Sequence, residues 1–257
     1  MNNMLRYETL TKNHEYFAQA VDCLATTFAG TNVAGKWVQE PMVGCLDIDF
    51  QELHDYIENY LYSVADQGYC FIAVDNNTVV GAIVGDLNIL EANADKDKSD
   101  DISGMDLIGY VLSDVSERFM GDYEKQYGEK LHYGESLNLY MIGLRAEHNR
   151  REIYKKLLNT SMDQAISQGI KLAYGFCTTP KSLHLSERYA DMHKYKDING
   201  NYITYMYRDN KYLNSIPSDI AEGTYVIVRL FEGENQNRGL HPMCVQLSRK
   251  EKENLLK

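Results

Sequence analysis

The feature that most constrains this chain is an abrupt change of character within residues 137–158, LNLYMIGLRAEHNRREIYKKLL. Leu137, Leu139, Tyr140, Met141, Ile142 and Leu144 make an almost continuous apolar run, which suits a strand buried on both faces. After Arg145 comes a polar stretch, then an apolar stripe at helical spacing: Ile153, Leu157, Leu158, Met162, Ala165 and Ile166. Gly169 closes that helix and IKLAYGFCT returns as a second strand. The expected unit is strand, basic turn, helix, strand. Its turn feeds a helix N-terminus, where unpaired N–H groups and the macrodipole favour an anion. Arg150 and Arg151 add fixed positive charge there.

Other elements fall on either side of this unit. Residues 7–10 read as a strand and 14–27 as a helix with Thr11 or Asn13 as its cap. FAGTNVAGKWVQEPM, with Gly30, Gly35, Pro41 and the single Trp, reads as a loop. Residues 50–67 form a second helix that Gly68 ends, and YCFIAVDNNTVVGAIVGDLN is a hairpin around Asn76-Asn77. The charged stretch 91–104 is a surface insertion whose Asp95, Asp97, Asp100 and Asp101 lack the spacing of a calcium loop. A helix over 105–130 precedes the central unit. A helix through Met192 and the strand pair YITYMYRD and GTYVIVRLF follow it. With no repeat and no linker, one domain is expected over 1–231, followed by a polar tail, 232–257.

A formal charge of −11 argues against general nucleic-acid binding and suits a cationic or amine substrate. No apolar run reaches the ~18–20 residues of a membrane span, and no secretory leader is evident, so a cytoplasmic protein is expected. The five cysteines, Cys23, Cys45, Cys70, Cys177 and Cys244, are scattered without a CxxC, which fits reduced thiols. The seven histidines show no metal-ligand grouping, so no metal is expected. Twenty tyrosines can fill half-buried strand positions or line a pocket with a polar tip.

From residue 7 to 231 the order β-α-α-β-β-α-β-α-β-α-β-β, with its central unit, resembles the GNAT superfamily of N-acetyltransferases. The signature there is an apolar strand, then Q/R-x-x-G-x-G/A opening a helix. Asn149, Arg150, Arg151, Glu152, Ile153 and Tyr154 occupy that loop, and Leu157-Leu158 match the family's paired leucines. Val80-Gly81 opens the second hairpin arm as in the family. Glu152 and Tyr154 depart from the pattern: they stand where it has Gly and Gly/Ala, and a side chain there can obstruct a phosphate. The arylalkylamine-acetyltransferase-like subgroup looks nearest. Its landmarks fall in order at Thr27-Phe28, Glu40-Pro41, Thr178-Thr179-Pro180-Lys181-Ser182 and Ile203-Thr204-Tyr205. The gap between the first two is longer than in most members.

The resemblance implies an α/β fold of α+β type: a central mixed sheet, flanked by helices, whose middle strands splay to admit a pantetheine arm. It implies acetyl-CoA as cosubstrate, no metal, and direct transfer in a ternary complex to a small primary amine or polyamine-like cation; a homodimer is left open. Cofactor contacts would fall on Met141, Ile142, Gly143 and Leu144, on 149–154, and on Thr179 and Ser182. Gly143 could mark a bulge or a close approach that frees backbone N–H groups, or accommodate a neighbouring aromatic. Ser182 could equally cap a helix. Glu40 is the expected base, with Glu135 second; Tyr189 is the expected acid, Tyr195 reading as core. The missing glycines keep a second class open, an idle module that binds a metabolite or a protein partner.

Overall fold

β1 (Arg6–Thr9) leads into α1 (Phe17–Ala29), a short hairpin of β2 (Thr31–Val33) and β3 (Lys36–Val38), and helices α2 (Pro41–Cys45) and α3 (Phe50–Val64). β4 (Phe71–Asp75) and β5 (Thr78–Asp86) precede α4 (Gly104–Tyr127). β6 (Ser136–Leu144), α5 (Arg151–Ser167) and β7 (Leu172–Cys177) form the central unit, followed by α6 (Pro180–Ala190), β8 (His193–Lys194), β9 (Thr204–Met206) and β10 (Gly223–Leu230). This computed structural model describes residues 5–89, 103–148 and 151–231. The 91–104 insertion with its aspartates therefore lies outside the described residues, save Ser103, which caps α4, and Gly104, which begins it. Asn149, Arg150 and the 232–257 tail also lie outside them.

The main sheet runs β1-β4-β5-β6-β7-β10-β8, with β9 beside β10. Among the described strands only β6 and β7 pair in parallel, joined by α5, so the sheet is mixed. Alternation along the strands separates two apolar layers. Ile72, Val74, Val79, Ala82 and Val84 meet α1 and α3, while Phe71, Ala73, Val80 and Ile83 meet α5. Farther along, Leu172, Tyr174 and Val226 pack under Val115 and Phe119 of α4. Each fully buried large side chain contributes roughly 1.5–3 kcal/mol of transfer free energy. The β4–β5 turn forms as its sequence predicts, with Asn76 at φ 51 and Asn77 at φ 60.

Two local expectations are corrected. α1 starts at Phe17 with Tyr16 as its cap residue and no side-chain cap; Thr11 instead closes a turn by accepting His14 N–H at 3.1 Å. The supposed loop after Phe28 contains the β2–β3 hairpin, whose two-residue turn places Ala34 at φ 53 and Gly35 at φ 81. Alanine in a position that usually takes Asn or Gly hid this turn from the sequence. The hairpin is closed where Glu40 N–H donates to Phe28 C=O at 3.1 Å, and it takes up the extra length before Glu40-Pro41.

α3 is capped by Asp49, whose carboxylate accepts Gln51 N–H at 2.8 Å. Asp49→Ala should cost about 1 kcal/mol, seen as a small fall in the urea midpoint with an unchanged slope.

Candidate active site

The site begins with a fault in the ladder between β5 and β6. Val84 pairs with Met141 and Gly85 with Leu139, so Tyr140 has no partner and forms a bulge. A bulge shifts the phase of the pleat, and here Tyr140 and Met141 both turn toward α1 and α3. On the other edge, β6 and β7 pair from Ser136↔Leu172 to Leu139↔Gly175 and no farther. β6 continues to Leu144 and β7 to Cys177, so the two strands splay beyond that point. Arg145 N–H donates to Val80 C=O at 3.0 Å, which fixes the alternation of β6 amides. The N–H of Gly143 faces β5, and those of Ile142 and Leu144 face the edge that β7 has left.

Gly143 answers to α1. A Cβ there would lie 2.9 Å from Thr27 Oγ1 and 3.2 Å from Leu24 Cδ2, so glycine permits close packing of that helix. The bulge belongs to Tyr140, three residues earlier than the position the sequence marked.

A cavity of about 250 Å³ passes through the splay and touches both layers of the fold. On the side of α1, α3 and α4 it is lined by Phe28, Glu40, Met42, Tyr56, Ile108 and Tyr140. On the side of α5 and α6 it is lined by Tyr154, Leu158, Cys177, Ser182 and Ser186. Met141 and Ile142 line its middle, opposite Gly175 and Phe176.

Glu40 is the N-cap of α2, with Pro41 as the first helical residue. Its Oε2 accepts Val43 N–H at 2.7 Å, while Oε1 is buried with no hydrogen-bond partner. Burial pushes the carboxyl pKa up to about 7, against the lowering pull of the Val43 N–H and the nearby Thr178 hydroxyl. Behind it, Met42 packs with Tyr207, Leu107 and Val111, and Tyr207 O–H pairs with Thr224 Oγ1 at 2.9 Å. The Glu40 carboxylate thus sits over a packed floor, with Oε1 left outside the cap hydrogen bond.

A tyrosine network lies beside it. The hydroxyls of Tyr56 and Tyr140 are hydrogen-bonded to each other, and the ring of Tyr140 stacks on Tyr60 at 4.2 Å. Tyr60 O–H donates to Asp86 Oδ2 at 2.7 Å; Asp86 also accepts Gln67 Nε2 at 3.1 Å and Asn88 N–H at 2.8 Å. Burial pushes the Tyr56 and Tyr140 phenols up, so both are neutral hydrogen-bonding groups. Sequence reasoning missed this network. Its signal was Tyr56 and Tyr60 four apart on the apolar face of α3, with Asp86 ending an apolar strand.

Other expected residues divide. Thr179 caps α6, accepting Ser182 N–H at 3.0 Å, and Ser182 Oγ returns to Thr179 C=O at 2.9 Å; both line the cavity. Thr179, and not Ser182, is therefore the cap residue. Arg151 and Glu152 are exposed at the start of α5, and the charge of Glu152 reaches Tyr7 of β1, whose phenol it helps push up after burial. Ile153 is core, and Tyr154 is buried in the cavity wall. Tyr195 is core, its hydroxyl donating to Asp122 at 2.9 Å.

Two of the three catalytic candidates are not brought to the cavity, and of the described cofactor candidates Gly143, Leu144, Arg151, Glu152 and Ile153 do not line it. Glu135 precedes β6 at the end remote from the splay, where it pairs with Lys171 at 2.9 Å and accepts His132 N–H at 2.9 Å. Slight burial raises its pKa, but Lys171 and the His132 N–H outweigh that and hold it below the usual carboxylate range. Glu135, the second expected base, is thus held in an ion pair away from the cavity wall. Tyr189, the expected acid, packs against the α5-side core with the Arg188 guanidinium over its ring at 5.7 Å, and is absent from the cavity wall. At the surface, ligand atoms of His54, Asp55 and Glu58 lie within 4.8 Å of one another, a cluster away from the cavity. No helix among the described residues is long and apolar enough to cross a membrane.

This bulged, splayed mixed sheet between two helical layers defines the chain as having the GNAT fold. Solved structures that share it are dominated by insect arylalkylamine and polyamine N-acetyltransferases. The polyamine N-acetyltransferase of Drosophila melanogaster, which forms N-acetylagmatine, aligns with a TM-score of 0.61 at 17% identity, over 89% of this chain and 100% of that one. Arylalkylamine N-acetyltransferase 2 of Aedes aegypti aligns with a TM-score of 0.61 at 16% identity, over 90% and 100%. The C-terminal condensation domain of Ebony, solved with β-alanyl-dopamine, gives a TM-score of 0.60 at 13% identity, over 89% and 100%. No protein-family model matches the sequence, and no curated protein sequence does.

Proposed function

We propose that the chain is an acetyl-CoA-dependent N-acetyltransferase acting on a primary amine, with Glu40 as its base. The observation that supports this most is the cavity through the β6–β7 splay, with a partnerless buried carboxylate oxygen on one side. A passage that reaches both layers lets donor and acceptor approach from opposite sides and meet within attack distance. Glu40, with its pKa near neutrality, can take the proton an ammonium must lose before it attacks. The Ile142 and Leu144 N–H groups are aimed at the splay and can donate to an oxyanion forming there.

The splay fits a pantetheine arm, because it offers strand-edge amides and apolar walls along its length. Acetyl-CoA would supply the activated acyl group as a thioester. Main-chain groups of residues 141–144, of which Met141 and Ile142 line the cavity, and the hydroxyls of Thr179 and Ser182 would hold its arm, and the N-terminus of α5 with Arg151 its phosphates. Among the described residues of the cavity wall Glu40 is the one acidic side chain, amid Phe28, Met42, Leu53 and Ile108. That lining favours one ammonium on an apolar body over a polyamine, whose second cation would lack a partner among the described residues.

The direct test is thermal shift with CoA and with acetyl-CoA, followed by assay against a panel of aryl-, alkyl- and polyamines. Ligands that bind the native state must raise its melting temperature. No shift with either thioester or thiol, in the parent chain and in every folded variant alike, would sink the reading. Arg151→Ala should weaken CoA binding several-fold at low salt and less at high salt, because an exposed charge is screened; equal affinity at low salt would remove Arg151 from the site. The position of Tyr154 favours a second reading, the idle binding module, since its ring lines the donor side of the cavity and ties α5 to α6 through Ser186.

A further inference from the structure

We infer that Tyr154 is a gate on the donor side of the passage, closed in this structure, and that it sets the affinity for acyl-CoA. The inference rests on the acyl-CoA reading above. Tyr154 projects from the first turns of α5, is only 9% exposed, and lies in the cavity wall. Its hydroxyl meets Ser186 Oγ of α6 at 3.3 Å, so a ring and a hydrogen bond span the space between the two helices that flank the splay on that face. Cys177, at the end of β7, closes the floor beneath, its thiol 3.9 Å from the same Ser186 Oγ. Burial pushes both the Tyr154 phenol and the Cys177 thiol up, so the closure is made by neutral groups.

A chain threading from the α5 N-terminus to the splay must displace this ring. The closed state has apolar burial on its side and one hydrogen bond, both lost on opening. Open molecules are then a minor fraction, and the apparent dissociation constant is the intrinsic one divided by that fraction. The neighbouring Glu152 is exposed at the start of α5, whereas the Tyr154 ring is buried between the two helices, so the ring is the bulk that a threading chain meets.

Calorimetric titration of the full chain with CoA alone, without amine or turnover, tests this. Tyr154→Ala should bind CoA at least about tenfold more tightly than the parent chain. Ser186→Ala and Tyr154→Phe keep the ring and remove only the hydrogen bond, so they should fall between the two. Tyr154→Leu is the backup if the alanine variant loses its cooperative melt. Parent-like or weaker CoA affinity in Tyr154→Ala or Tyr154→Leu, with a parent-like melt, overturns the gate while leaving the acyl-CoA reading intact. CoA binding by Tyr154→Ala but not by the parent supports the gate and shows a parent chain locked shut. Absence of CoA binding in the parent and every folded variant overturns both.

Discussion

Glu40→Gln should lower kcat/KM for amine acetylation by about a hundredfold at pH 7, and the deficit should shrink toward nothing as pH nears the amine's own pKa, about 10. At neutral pH almost all of such an amine is ammonium, which has no lone pair. A carboxyl with pKa about 7 is half ionised there, near the optimum for accepting that proton, and its Oε1 has no competing partner. Glutamine keeps the size and can still accept the Val43 N–H, so α2 should stay capped. CoA affinity should be unchanged, since Glu40 lies on the α1 side of the sheet and the α5 N-terminus on the other. The pH profiles of both proteins, measured at subsaturating amine, decide the matter. A loss that is the same at every pH would mean Glu40 binds the cation without taking its proton. No loss at all would remove it from the chemistry. The placement of Glu135 leaves no second carboxylate among the described residues of the cavity wall to inherit the role.

What the sequence made legible follows from the range of the interactions involved. The central unit was readable because an apolar strand and an amphipathic helix are local patterns, and β6, α5 and β7 lie within two to three residues of where those patterns place them. The Asn76-Asn77 hairpin was readable because its turn chemistry is carried by the two residues that need positive φ. The bulge at Tyr140 was not, because it is a property of register between two strands and neither strand alone shows a missing partner. Gly143 drew attention for the right general reason, close approach, but α1 is the element that approaches.

Side-chain placement was hard to read for the same reason. Tyr189 and Glu135 were read from their place in the element order, and order does not say which turn of a helix or which end of a strand meets the cavity. Lys171, thirty-six positions beyond Glu135, neutralises it through the parallel pairing of β6 with β7. The Tyr56–Tyr140 contact joins α3 to the bulge across eighty-four residues. Tyr154 carried a local signal, a bulky residue where a resembling family has none, but its partner Ser186 could only come from the packing of α6 on α5.

The same Glu40→Gln exchange should stabilise the fold at pH 8 by about 3 kcal/mol and leave it unchanged near pH 4. Glu40 has a folded pKa of about 7 against an ordinary value of 4.5, raised by burial. Between those values the folded state holds a proton that the unfolded state has released, so stability falls as pH rises through that window. Below it both states are protonated and the full stability is present. Above it the loss is complete, at about 1.4 kcal/mol for every tenfold difference in proton affinity between the two states. Glu40 is half-buried and its Oε1 is shut off from solvent, so screening discounts the figure less than it would for a surface charge. Glutamine never carries the charge and so escapes the loss. Against a total stability of order 5–15 kcal/mol, a change of this size is plain in urea denaturation at the two pH values. Equal stability of both proteins at pH 8 would mean that the ionised carboxylate is solvated or paired in the native state, and then it could not be the desolvated base that the activity prediction requires. A gain in stability together with a loss of turnover would tie both effects to one physical cause: a charge kept away from water so that it can take a proton.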